Sequence, residues 1–168
     1  MIKKILFVLL CSTAFCVRTN AQATSQKVAF NNTLKSYFDV KNALATDNVA
    51  KSNSAAKELL TSLKSFPSAK LPTAQLSVWK AELTQLNKFV APMTVGKEVK
   101  AQRKNFEYVS LAMIKLAKAL PLSSNEIYVQ YCPMVKRSWL NEVEDIQNPF
   151  YGSMMYDCGE VTDTIVKK

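Results

Sequence analysis

Apolar residues recur at helical spacing four times between residues 28 and 120. Phe30, Leu34, Tyr37, Phe38 and Leu44 share one face of a first predicted helix, and Val49, Ala56, Leu59, Leu60 and Leu63 do so in a second. Thr46-Asp47-Asn48 breaks the pattern between them, with Asp47 or Asn48 placed to cap the second helix. Pro67 and Pro72 bracket the next connection. Leu76, Trp79, Leu83, Leu86 and Val90 then alternate at spacings of three and four, until Pro92 stops the run and Gly96 marks a turn. Val99, Phe106, Val109, Met113, Leu116 and Leu120 form the last stripe, which ends at Pro121. Four amphipathic helices with short connections predict a mainly α fold, a four-helix up-down antiparallel bundle over residues 28–120. Trp79, Phe106 and Met113 stand at core spacing. Lys35, Lys41, Lys57, Lys80, Lys97 and Lys104 are assigned to a solvated face.

The pattern changes after Pro121. Ile127-Tyr128-Val129-Gln130-Tyr131 is β-branched and aromatic and predicts a short strand. Trp139-Leu140 leads into a helical turn expected over residues 141–146. Asn148-Pro149-Phe150-Tyr151-Gly152 is a turn signal, and Glu160 to Val166 fits either a strand or a helical turn. Residues 121–168 are therefore expected to form a short C-terminal Cys/Met-rich cap, small β or irregular. Tyr128, Tyr131, Trp139, Phe150, Tyr151 and Tyr156 are expected to form an aromatic core that fastens this cap to the bundle.

The other end of the chain reads as an address. Met1-Ile2-Lys3-Lys4 is positively charged, and Ile5 to Phe15 is an apolar run of export-signal length, too short to span a bilayer. Thr19-Asn20-Ala21 ends in a small residue, so a signal peptide over 1–21 with cleavage after Ala21 is expected, leaving residues 22–168 as one domain. Cleavage removes Lys3, Lys4 and Arg18, and the formal charge falls from +9 to +6. No second apolar run long enough to cross a membrane follows. The expected location is the periplasm or outside the cell, where disulfides persist. There a basic surface meets anionic envelope polymers or a protein partner rather than nucleic acid.

Composition excludes much chemistry. The chain has no histidine, hence no Ser-His-Asp triad, Cys-His dyad or imidazole-ligated metal. Its three glycines, Gly96, Gly152 and Gly159, build no nucleotide-binding loop. Asp39, Glu107, Glu142 and Asp145 are scattered, and no carboxylate pair stands out for acid–base work. The cysteines lack C-x-x-C spacing. No enzymatic activity is expected.

What remains is sulfur. Export removes Cys11 and Cys16 and leaves Cys132 and Cys158. Both lie with Met134, Met154 and Met155 in the C-terminal segment. Thiolate and thioether are soft donors that select Cu(I), and by analogy Ag(I). Zinc ordinarily takes four ligands from cysteine and histidine, more than this set offers. The same cysteines also suit a disulfide, the commoner fate of a lone pair in an oxidising compartment. Closing about 25 residues contributes roughly 3–4 kcal/mol in the chain-entropy model. The methionines are then gap-fillers.

Tyr131-Cys132-Pro133-Met134, Trp139-Leu140, Ile146-Gln147-Asn148-Pro149-Phe150-Tyr151-Gly152, Met155 and Cys158-Gly159 together resemble the DUF3347 family. Its members are exported bacterial proteins, related to the C-terminal domains of periplasmic adaptors of copper/silver efflux pumps. Tyr37 to Leu44 resembles the family's opening helix, and Gln102-Arg103-Lys104-Asn105-Phe106 with Ser110 its fourth helix. The resemblance places Cys132, Met134, Met155 and Cys158 on the family's sulfur positions, with Met154 an optional ligand. It implies a periplasmic metal-binding or metal-handling role; together with the sulfur cluster and the lack of histidine, this gives the expectation of a Cu(I)- or Ag(I)-binding protein that buffers the metal or passes it to an efflux or copper-assembly partner of the envelope. The alternative is a helical interaction module, stapled by a Cys132–Cys158 disulfide, that binds no metal.

Overall fold

The structure is a computed structural model that describes residues 24–166. The first helix, α1 (Ile2–Ala45), is described from residue 24 on, and the signal peptide expected over residues 1–21 lies outside the described residues. Three further helices follow: α2 (Val49–Ser65), α3 (Thr73–Val90) and α4 (Val99–Ala119). The molecule is thus mainly helical, with a small antiparallel sheet at its C-terminal end made of β1 (Ile127–Cys132), β2 (Arg137–Asn141) and β3 (Glu160–Ile165).

The helices start and stop where side-chain chemistry dictates. Asn48 caps α2, its side-chain oxygen accepting the Lys51 N–H at 2.9 Å. Asp47 just before it takes a left-handed conformation (φ 56°), which the short polar side chain of aspartate tolerates. Pro72 precedes α3, and Pro92 falls in the 3-10 turn Ala91–Thr94 that follows it. α1 packs on α2 and α3 on α4. The predicted stripes supply the core, with Phe30, Tyr37, Leu59, Trp79, Leu86, Phe106 and Met113 fully or almost fully buried. The same core continues into Ile127, Cys132, Trp139 and Leu140, so helices and sheet share one apolar interior.

β1 is the central strand. It pairs with β2 (Gln130 opposite Trp139, Cys132 opposite Arg137) and with β3 (Tyr131 opposite Glu160, Ile127 opposite Ile165). Glu160–Ile165 is therefore a strand, and Trp139-Leu140 belongs to a strand that the residue pattern had not marked. No helical turn forms over 141–146; Glu142–Asp145 is a bend. The cause lies on β1. The buried Gln130 carboxamide donates to the carbonyls of Val143, Glu144 and Asp145 at 3.2, 2.9 and 3.1 Å, and Asn141 donates to Asp145 O at 2.8 Å. Carbonyls turned onto side-chain amides are not free to start a helix.

Two buried polar groups of α1 hold the sheet. β2 is an edge strand, and its outward N–H at Leu140 is taken by the Tyr37 hydroxyl at 3.0 Å, which also bonds Ser110 of α4. Lys41, assigned above to a solvated face, is fully buried. Its ammonium donates to Asn141 Oδ1 and, at 2.6 Å, to Gln147 Oε1, and pairs with Glu142 at 3.1 Å. Three acceptors, from the end of β2 and the loop after it, make burial of that charge tolerable. The aromatic core forms in part. Trp139 is buried and meets Phe150 edge-on at 6.0 Å, and Phe150 lies 5.7 Å from Phe106 of α4. Tyr156 is 39% exposed and stands outside it, because its stretch of chain runs over the surface.

Burial lowers the Lys41 pKa below its ordinary 10.5, against the opposing pull of Glu142. The unfolded chain then binds more protons than the native one between that lowered value and 10.5, and stability rises with pH across this window. Lys41→Met removes the slope and strands three acceptors, lowering stability by about 3 kcal/mol. Urea unfolding of both proteins over an alkaline pH series measures both effects.

Candidate functional site

Cys132 ends β1 and Cys158 precedes β3, so the pairing of the two strands brings these thiols together. Their Sγ atoms are 3.1 Å apart and unbonded. Cys132 is fully buried and Cys158 half-buried, so the pair opens to solvent on the Cys158 side.

The turn after Cys132 is shaped around its sulfur. Pro133 sits where no N–H is needed, and Lys136 adopts a left-handed conformation (φ 54°) while its N–H bonds Cys132 O at 2.8 Å. This aims the N–H groups of Met134 and Val135 at the Cys132 sulfur. On the other side, Gly159 lets the chain leave Cys158 in close contact with the sheet. A Cβ there would lie 3.0 Å from Tyr131 O and 3.1 Å from the Trp139 ring, and the backbone (φ 153°) disfavours any side chain.

Asn148 links the two halves. It is fully buried, and both its carboxamide oxygen and its nitrogen are hydrogen-bonded. Oδ1 accepts from Phe150 N at 2.8 Å and Tyr151 N at 3.2 Å. Nδ2 donates to Cys158 O at 2.8 Å, and the amide lies near enough to the Cys132 sulfur to lower its pKa. Its backbone N–H meets Tyr156 O at 2.7 Å. The expected Asn148-Pro149 turn therefore also supports both cysteines directly.

The surroundings separate the two thiols electrostatically. Burial works against ionisation of Cys132, but hydrogen bonds from the Cys158 thiol, the Val135 and Met134 N–H groups and Asn148 outweigh it. The Cys132 thiol sits below its ordinary value. Cys158 moves up, first through its hydrogen bond to Cys132, then through partial burial and the nearby Cys132 and Asp157 charges. Of the two thiols, Cys132 is therefore the easier to ionise.

The methionines are placed differently. Met155 is half-buried, and its carbonyl accepts the Cys158 N–H at 3.3 Å. Met134 in the β1–β2 turn is 63% exposed, and Met154 is 76% exposed. The structure thus joins the two thiols and leaves Met134 and Met154 in solvent. Met154, Val135 and Arg137 border an open cleft of about 1040 Å³ along α4. Among the described residues, no three cysteine or carboxylate side chains gather in a way that would hold an ion. No helix among them is long and apolar enough to cross a membrane.

A second latch fixes the loop between the cysteines. Asp47 accepts from Ser153 N at 2.9 Å and from the Ser153 hydroxyl, and pairs with Arg103 at 2.5 Å. Arg103 also donates to Pro149 O at 2.8 Å and Leu44 O at 3.0 Å. Gly152 (φ 63°) lies directly under this pair, and a Cβ would collide with both side chains. Asp47 enters the sequence reading only as a possible cap and Arg103 only through the family resemblance. Nothing in their local pattern points to a contact with residues 149–153.

A family model described as "Protein of unknown function (DUF3347)" matches residues 33–125. That span ends just before β1, so both cysteines lie beyond it. No curated protein and no solved structure matches the chain.

Asn148→Ala strands two N–H groups and the Cys158 carbonyl, and is expected to cost about 2–3 kcal/mol. Without that tie, Cys158 reacts faster with a bulky thiol reagent under native conditions. Unchanged stability together with an unchanged labelling rate contradicts the role given to Asn148.

Proposed function

We propose that this chain, which belongs to the DUF3347 family, is an exported protein that binds Cu(I) or Ag(I) through Cys132 and Cys158. The single observation behind this reading is the approach of two unbonded thiols to 3.1 Å, one fully buried and the other half-buried. Two sulfurs suit a soft monovalent ion, which is content with few ligands. A carboxylate-rich site for a hard cation is absent among the described residues, and the chain offers no imidazole. The N–H donors around Cys132 offset the charge that two thiolates leave on a monovalent ion.

Met155, half-buried and three residues before Cys158, is the best placed third donor. Met134 and Met154, in solvent, suit the first capture of an ion or its transfer. In this reading the protein works in the periplasm as a copper buffer or carrier, without catalysis. Its partner is a metal-efflux or copper-assembly protein of the envelope. The helical part, read as an up-down bundle capped by the sheet, is the scaffold on which the thiol pair is held.

One observation also favours the other reading. Thiols this close need little movement to form a disulfide, and the closed pair would staple the C-terminal segment of an interaction module. Titrating the reduced protein with Cu(I) against a chromophoric chelator decides between them. The proposal expects one equivalent held by the native chain, and at least about a hundredfold weaker retention by the Cys132→Ser/Cys158→Ser variant. Equal retention by both proteins removes the cysteines from the site.

A further inference from the structure

We propose that Cys132 and Cys158 form an ordered thiol–disulfide exchange pair, with Cys158 as the point of entry and Cys132 as the resolving thiol, whose closure switches the metal site off. The regulatory part rests on the metal-binding reading above; the order of attack does not.

The two thiols differ in access. Cys132 has no solvent-exposed surface, is the last residue of β1, and belongs with Trp139 and Leu140 to the shared buried core. Cys158 is half-buried and follows a stretch in which Met154, Tyr156 and Asp157 are exposed. A small-molecule disulfide reaches the Cys158 sulfur and not the Cys132 sulfur. Cys132 stands 3.1 Å behind, at contact distance from the atom it must attack. The anchors around the pair hold this geometry: Asn148 bonds Cys158 O at 2.8 Å, and β1–β3 pairing fixes Tyr131 against Glu160.

The chemistry balances with one oxidant, a small disulfide RSSR. Cys158 gives its proton to solvent and attacks one sulfur of RSSR. A Cys158–SR bond forms, the S–S bond of the reagent breaks, and RS⁻ leaves and takes a proton. Cys132 then loses its proton and attacks the Cys158 sulfur, breaking the Cys158–SR bond and expelling the second RS⁻, which also takes a proton. The pair has given up two electrons and two protons; RSSR has become two RSH. The product is a Cys132–Cys158 disulfide with no thiolate left for a soft cation. Reduction by a dithiol runs the same steps backward, with the attack again at Cys158.

The test uses reduced, metal-free protein treated with glutathione disulfide and read by intact mass. The native chain is expected to lose two hydrogens and keep no glutathione. Cys132→Ser accumulates one glutathione on Cys158. Cys158→Ser stays unmodified while folded and becomes labelled in denaturant. Limiting iodoacetamide on the native chain, mapped by peptide, gives the order without any variant: Cys158 labelled at least about tenfold faster than Cys132. Glutathione retained by the native chain, or Cys132 modified as fast as Cys158, overturns the proposal. Copper is then added to the reduced and the oxidised forms. Binding by the reduced form alone supports the switch, and equal binding by both overturns it. A reduced form that binds no copper overturns the metal-binding reading, and the gating with it, while the mass results still decide the order of attack.

Discussion

One buried carboxamide determines whether the C-terminal segment has a defined site. Asn148 receives two backbone N–H groups of its own turn on its oxygen, and its nitrogen donates to the Cys158 carbonyl and lies beside the Cys132 sulfur. The orientation of the amide is fixed by these partners. Because the group is buried, each lost bond strands a polar atom away from water, at a cost of about 1–3 kcal/mol. The turn, the end of β1 and the start of β3 are therefore not independently adjustable. Moving either cysteine breaks bonds that the other half needs.

That hub works only if the sheet is held to the helices, and here α1 matters most. Tyr37 and Lys41 stand one turn apart on α1, a spacing that puts both on the same side. Tyr37 covers the outer N–H of an edge strand, and Lys41 gathers Asn141 at the end of β2 with Glu142 and Gln147 from the segment that follows. An ammonium in such a place is costly without partners and specific with them. Asp47 and Arg103 repeat the device further along, gripping Ser153 and Pro149 beneath Gly152. Residues from α1, the α1–α2 turn and α4 thus surround the loop that carries the second thiol. The C-terminal segment is an extension of the helical core rather than an appendage.

The helices were legible because apolar stripes and proline stops are local signals. Phe30, Leu59, Trp79 and Phe106 are buried as their spacing requires, and Asn48 caps α2 as its position suggests. β1 was legible from its β-branched and aromatic residues. β2 was not, since Arg137-Ser138 and Asn141 dilute its two apolar residues and its stability comes from Tyr37, far away in sequence. Lys41 misled for the same reason. A lysine beside an apolar stripe reads as solvated, and its acceptors lie about 100 residues further along the chain. The nearness of the two thiols rests on the β1–β3 pairing, which spacing along the chain does not encode. Methionine enrichment marked the segment that also holds the two thiols, but it did not distinguish half-buried Met155 from Met134 and Met154 in solvent.

The core of the account is that two thiols form a soft-metal site on a rigid mount. Copper K-edge absorption on reduced protein loaded with one equivalent of Cu(I) looks at that site directly. The account predicts a first shell made of sulfur only, which is lost when both cysteines are replaced by serine. A shell of oxygen and nitrogen, or a sulfur shell that survives the double replacement, contradicts it.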